Sequence, residues 1–479
     1  QIAKLGTTQI QALTTTEAAA ITAAQATGLT TTQIAKFEAD DLAQLSTAVI
    51  AGLSAAQVGA LGTQQIADLT TTQAQALTLS QVGSFSTSQI AAMETADLAK
   101  LSSTVVAGLT TTQVQALTPD QVAALSVSQF GALSAAQIAK LGTAQIQSLT
   151  TSQAQALTAT QAGGLTTTQI QNLEAADLAK LSTAVISTLT NAQLGGLSAG
   201  QMPDLTTSQA QALTAAQLAS LSTTQLAGME LGDLAKISTN AISGLTTTQM
   251  AALTGDQIAA LTTSQFSKLS GDQVGKLATG QIQSLTTDQA AALTATQGAG
   301  LTAGQIAQME AADVAALSTS VISGLTTTQA AALTADQVAA LTTTQFSKLS
   351  GAQLGALGTA QIQAMTTDQA AILTATQVAG LTTTQIAALE AADIGEFGTG
   401  IIAALSAVQV GGFTTQQIAD LTTTQAGALT ATQVAGMSTT QLAAMEAADF
   451  AKLSTAAISG LTTTQMAAVT ADQVVAMTP

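Results

Sequence analysis

The chain has 479 residues, of which 8% are charged and 2% aromatic, and it contains no His, Cys, Trp or Tyr. Ten Lys stand against 27 Asp and Glu for a net charge of −17, with no Arg, a balance that nucleic acid and anionic lipid surfaces repel. No disulfide framework or thiolate site can form, and with only Ser/Thr, Lys and carboxylates available for chemistry, no enzyme and no cofactor are expected.

Along the chain, a large apolar residue stands at Leu5, Leu13, Ile21, Leu29 and Phe37, and then at every eighth residue to Val469 and Met477. This makes 59 complete octads between residues 5 and 476, without insertion or deletion, on the consensus L-T-T-x-Q-I-A-A. Thr, Ser or Gln interrupts every apolar run well short of the ~18 residues of a membrane helix, so no spanning segment is expected. The chain opens and closes in mid-pattern, as a piece of a longer polypeptide would.

A continuous α-helix cannot carry this spelling, because eight residues advance about 800° and successive octads drift by ~80°. A β-solenoid fits poorly, since apolar positions 1 and 6 have opposite parity and would face opposite sides. One short helix per octad fits. Thr or Ser at position 2 and Gln at position 5 form a capping box, and the apolar residues at positions 1 and 6 form the hydrophobic staple around it. Gly6, Gly62, Gly142, Gly358 and Gly398 replace Thr at position 2, where Gly is an acceptable N-cap.

Charge sorting agrees. All ten Lys fall at position 8, the helix C-terminus, and 23 of the 27 acids fall at positions 2, 4 or 5, in the first turn. Pro119 and Pro479 fall at the first helical position, which tolerates Pro; Pro203, at position 7, predicts a local distortion. Helices this short do not persist alone. The octads must therefore stack as an all-α solenoid, with about 3 to 3.5 octads per coil.

Position 5 is Gln in 44 octads. Seven of the others carry Glu at position 2 and Asp at position 5. Glu is a weak N-cap and a good helix former, so a longer fused helix is expected across each of these corners. The following octad carries Val, Ala or Ile at position 5, for example Val49, Val105, Val185 and Ile401, read as packing against that longer helix. These Glu octads divide the chain into modules of seven octads (37–92, 173–228, 389–444) and ten octads (93–172, 229–308, 309–388). Residues 1–36 and 445–479 are partial ten-octad modules. Three octads before each Glu octad, position 6 is Ala (Ala18, Ala74, Ala154, Ala210, Ala290, Ala370, Ala426), a small side chain expected beneath a bulkier element.

The paired carboxylates Glu38/Asp41, Glu94/Asp97, Glu174/Asp177, Glu230/Asp233, Glu310/Asp313, Glu390/Asp393 and Glu446/Asp449 are the candidate site residues. They could bind Ca²⁺, which takes several oxygen ligands; a salt-bridged surface ridge explains the same spacing. The Gln column could add Gln–Gln bonds between coils to its capping role.

The L-T-x-x-Q-I/V-x-A octads resemble those of very large Ala/Thr-rich repeat proteins of bacterial cell surfaces and extracellular fibres, along the whole chain. The resemblance implies an extracellular or surface-displayed structural protein. The expected function is a stiff solenoid rod forming a fibre, filament or stalk, associating with further copies of the repeat. The alternative is a binding or adhesion module whose acidic ridge takes Ca²⁺, a peptide or a glycan.

Overall fold

The computed structural model describes residues 1–477. Among the described residues it is helical with no strand, and each octad forms one helix of four to six residues. Among the described residues, no helix is long and apolar enough to cross a membrane. Contacts divide the chain into two compact units, Gln1–Gly244 and the part from Leu245 onward. Within each, every helix packs chiefly on the helices three octads before and after it, which makes each unit an α-solenoid.

The local reason is the cap. In the octad from Leu109, the Gln113 amide N–H donates to Thr110 Oγ1 at 3.2 Å, and Gln113 Oε1 accepts from the Thr110 N–H at 2.8 Å. Two of the orphan donors of the helix N-terminus are thereby satisfied. The corner between helices consists of two consecutive extended residues, as at Leu45 (φ −62°, ψ 133°) and Ser46 (φ −65°, ψ 156°). No non-Gly or Gly residue among those described has positive φ, so the corner needs no glycine and any L-residue can occupy it.

The expected fused helices do not form. Glu94 is extended (φ −65°, ψ 148°) and separates helix Thr87–Ala92 from helix Thr95–Leu98. Glu38, Glu174, Glu230, Glu310, Glu390 and Glu446 likewise each precede a new short helix without a side-chain cap bond. The corner survives without a hydroxyl because the staple residues still demand burial. Met93 is 2% exposed and Leu98 is 0%; a straight helix would swing one of them out of the core. The Glu carboxylate, at the helix N-terminus, also favours the dipole.

Pro203 distorts its octad as expected: Ala199–Asp204 is a 3₁₀ helix with Pro203 inside it. Pro119 occupies the first turn of Pro119–Ala124, whereas Pro479 lies outside the described residues. Positions 1 and 6 form the core, with all eight Phe at one or the other.

Candidate functional site: the seam between coils

Two coils meet along the position 5 column. The side-chain amide of Gln113 points away from its own cap, and its Nε2 donates to the backbone oxygens of Phe85 and Val82, each at 2.9 Å. In the second unit Gln337 repeats this, with Oε1 accepting from Thr334 N at 2.8 Å and Nε2 donating to Met309 O at 2.7 Å and Ile306 O at 2.8 Å. In both cases the acceptors lie 28 and 31 residues earlier in the chain. Each Gln thus caps its own helix and fastens it to the coil below, and Gln113 and Gln337 are only 3% and 2% exposed. The expected Gln–Gln bonds between coils are not the bonds this column makes, because the nearest acceptors are carbonyls freed at the corner of the previous coil. Sequence reasoning missed this second role: spacing at i, i+3 reads a cap and carries no signal for a partner on another coil.

The seven Asp of the Glu octads replace Gln on this seam. They are buried, Asp97, Asp313, Asp393 and Asp449 at 1% exposure and Asp41, Asp177 and Asp233 at 4% or less, while their Glu partners are exposed. The expected surface ridge of paired carboxylates is therefore half absent, because the Asp turns inward with the Gln it replaces. All seven Asp Oδ2 atoms are buried without a hydrogen-bond partner. Burial, and then the neighbouring Glu, raises the carboxyl of Asp97, Asp177, Asp393 and Asp449 to about 6. Asp41, Asp233 and Asp313 are raised by burial first and by nearby acids such as Glu38, Glu230 and Glu310. At Asp313 a hydrogen bond with the side chain of Thr287, on the coil below, pulls the other way.

As Ca²⁺ ligands, the candidate pairs Glu38/Asp41, Glu94/Asp97, Glu174/Asp177, Glu230/Asp233, Glu310/Asp313, Glu390/Asp393 and Glu446/Asp449 are split between surface and seam. No group of three or more carboxylates gathers where a metal could sit, among the described residues.

The Ala column belongs to the same seam. A Cβ on Gly298 would meet Val321 Cγ1 at 2.7 Å, so a residue at position 6 touches the position 5 residue of the third octad after its own. By that register Ala74 lies against Asp97 and Ala290 against Asp313, and the other five Ala stand to their Asp in the same way. Ten Ala and one Gly occupy position 6; all but Ala330 stand in this register with an Asp or a Val of the position 5 column. The small residue accommodates a non-Gln side chain on the seam, not a longer helix. Val49, Val105 and Val185, read from sequence as packing on that helix, are instead seam residues that lack a donor.

Comparison with known proteins finds a family model described as the ALTTAQ repeat. It matches residues 34–71, 90–127, 127–159, 170–207, 226–263, 306–343, 346–383, 386–423 and 442–479. Seven of these nine windows open three residues before a Glu octad. No curated protein matches the chain.

Proposed function

The chain belongs to the ALTTAQ repeat family, and from that premise we propose that it serves as a structural element, a segment of an extracellular or cell-surface fibre or stalk that associates with further copies of the repeat. The observation that carries this reading is the seam. A buried Gln in most octads ties each coil to the backbone of the one before, as in Gln113 to Phe85 and Gln337 to Met309. Such a seam supports itself coil by coil and extends to any number of repeats. The Lys sit exposed at helix ends and the buried Gln are spent on capping and stacking, which supports a structural role. The octad spelling, similar to that of bacterial surface and fibre proteins, supports placement outside the cell. The alternative of an adhesion module on an acidic ridge loses half its ligands to burial of the Asp. Repeated identical surface patches favour open, head-to-tail or lateral association.

Negative-stain images of the purified chain at increasing concentration test the proposal. Long uniform threads that lengthen with concentration are expected. Particles that stay monodisperse at every concentration, and whose melting rises sharply with Ca²⁺, would overturn it in favour of the binding module.

A further inference from the structure

At six of the eight positions an Asp octad is spelled like its neighbours; at the seam it is not. Where Gln113 offers the coil below an N–H donor, Asp97 offers a carboxyl. The register places Asp97 over the backbone oxygen of Leu69, and Asp177, Asp393 and Asp449 over those of Leu149, Met365 and Leu421. None of these four carbonyls receives a hydrogen bond, and all four residues are buried. An unpartnered carboxyl oxygen and an unpartnered carbonyl oxygen thus share each seam. Two acceptors in a buried space need a donor between them. Asp is one methylene shorter than Gln, yet the side chain of Thr287 on the coil below still acts on the Asp313 carboxyl and lowers it. The conjugate Ala, three octads earlier, gives it room.

We propose that the seven Asp seams are proton-operated fasteners: with its proton, the carboxyl donates to the backbone oxygen of the coil below in place of the Gln amide, and without it two acceptors oppose each other and the seam loosens. The proton comes from solvent and returns to it, so no other reactant is needed.

The surroundings favour the protonated form. On its own octad each Asp has its Glu three residues earlier, and Asp97, Asp177, Asp233 and Asp449 have a Lys three residues later, exposed at the helix end. From the coil below, Glu17 stands near Asp41, while Asp288 and Asp368 lie on the helices under Asp313 and Asp393. The helices below Asp97, Asp177, Asp233 and Asp449 carry no charge. From the coil above come Asp120, Asp204, Asp336 and Asp472, on the elements over Asp97, Asp177, Asp313 and Asp449. The helices over Asp41 and Asp393 end at Asp68 and Asp420. The charged groups on these named helices are all acids.

The sign follows. Carboxyls lifted from 3.8 to about 6 in the folded chain, as at Asp97, Asp177, Asp393 and Asp449, contribute stability that is complete below 3.8 and is lost as pH rises through about 6. The test is thermal unfolding of the full chain by circular dichroism between pH 7.5 and 4.5, beside a variant carrying Asp→Asn at all seven positions. Asn stays neutral and keeps a donor, and the variant retains every other acid as a control for general charge repulsion. The Tm of the wild type is expected to rise on acidification by about 5 °C more than that of the variant. Equal slopes in the two proteins would overturn the proposal. As a second measurement on unmodified protein, carboxyl carbon resonances titrating near 6 support it, whereas completion of all Asp titrations below pH 5 contradicts it. A Ca²⁺-induced rise in Tm at pH 7.5, present in the wild type and absent from the variant, would assign the seam to a cation and also overturn it. None of these readouts depends on fibre formation.

Discussion

A single Gln makes contacts that an ordinary capping residue does not. Gln113 Oε1 and Nε2 engage one N–H and two carbonyls on two different coils, all within 2.9 Å. Truncation of Gln113 to Ala leaves those three groups without their partner in a buried place. Each buried polar group left unsatisfied costs about 1–3 kcal/mol, so Gln113→Ala is expected to lower stability to urea by at least about 2 kcal/mol. Gln115 stands two residues on in the same helix, exposed, at position 7. Gln115→Ala is expected to stay within about 0.5 kcal/mol of the parent. Paired urea titrations on the two variants make the comparison, and similar losses in both would deny the seam its role. The same side chain marks how far the sequence was legible. Its cap was readable because Thr110 and Gln113 are three residues apart; its fastening was not, because one chain gives no direct sign of which residue lies beneath it on the previous coil. Asp97 was legible as an acid at a helix start and illegible as a buried one, since burial follows from the Gln column it joins.

At the scale of the helix, stacking is limited by how closely two backbones approach. A Cβ on Gly380 would overlap the backbone of Gly351, including its carbonyl oxygen, and the same relation holds between Gly300 and Gly271. These glycines are there for close approach, as no positive φ is involved. Gly304, by contrast, lies exposed within helix Ala303–Gln308, and a Cβ there meets nothing within 4 Å. The same substitution should therefore act with opposite sign at the two places. Gly380→Ala must push the coils apart and is expected to cost about 1–3 kcal/mol. Gly304→Ala should gain about 0.4–1 kcal/mol by restricting the unfolded chain and improving helix propensity. Chemical unfolding of both variants reads the difference, and a gain at Gly380 would refute the close stacking. The helix-per-octad architecture was readable from capping and staple together. The fused helices expected at Glu38, Glu94 and their counterparts do not form because the hydroxyl is not what makes the corner: burial of Met93 and Leu98 on either side enforces it with Glu94 in between.

At the scale of the whole chain, two spacings must be kept at once, and deletions separate them. The Gln seam has an offset of 28 residues from position 5 to position 1. Because octads are interchangeable on that seam, removal of any whole octad leaves a position 1 carbonyl under every Gln. The pairing of a small residue with each Asp, three octads apart, belongs to particular octads: it is broken when an octad between the two is removed and is kept when a whole module is removed. Deletion of 173–228 takes out one seven-octad module and brings Ala154 into register with Asp233, an Ala replacing an Ala. Deletion of 77–84 takes out one octad between Ala74 and Asp97, and sets Ile66 against Asp97 instead. The larger side chain then overpacks the site beside a buried carboxyl, at about 1–3 kcal/mol. In a solenoid whose stability is close to a sum of nearest-neighbour terms, that cost stays local and weakens the coil that carries it. The smaller deletion is thus expected to be the more damaging. The chain without 173–228 should melt within a few degrees of the parent, whereas the chain without 77–84 should show an earlier unfolding step by circular dichroism and protease nicking near residues 66–97. If loss of the whole module proves the worse of the two, the Asp–Ala register has no part in holding the coils together.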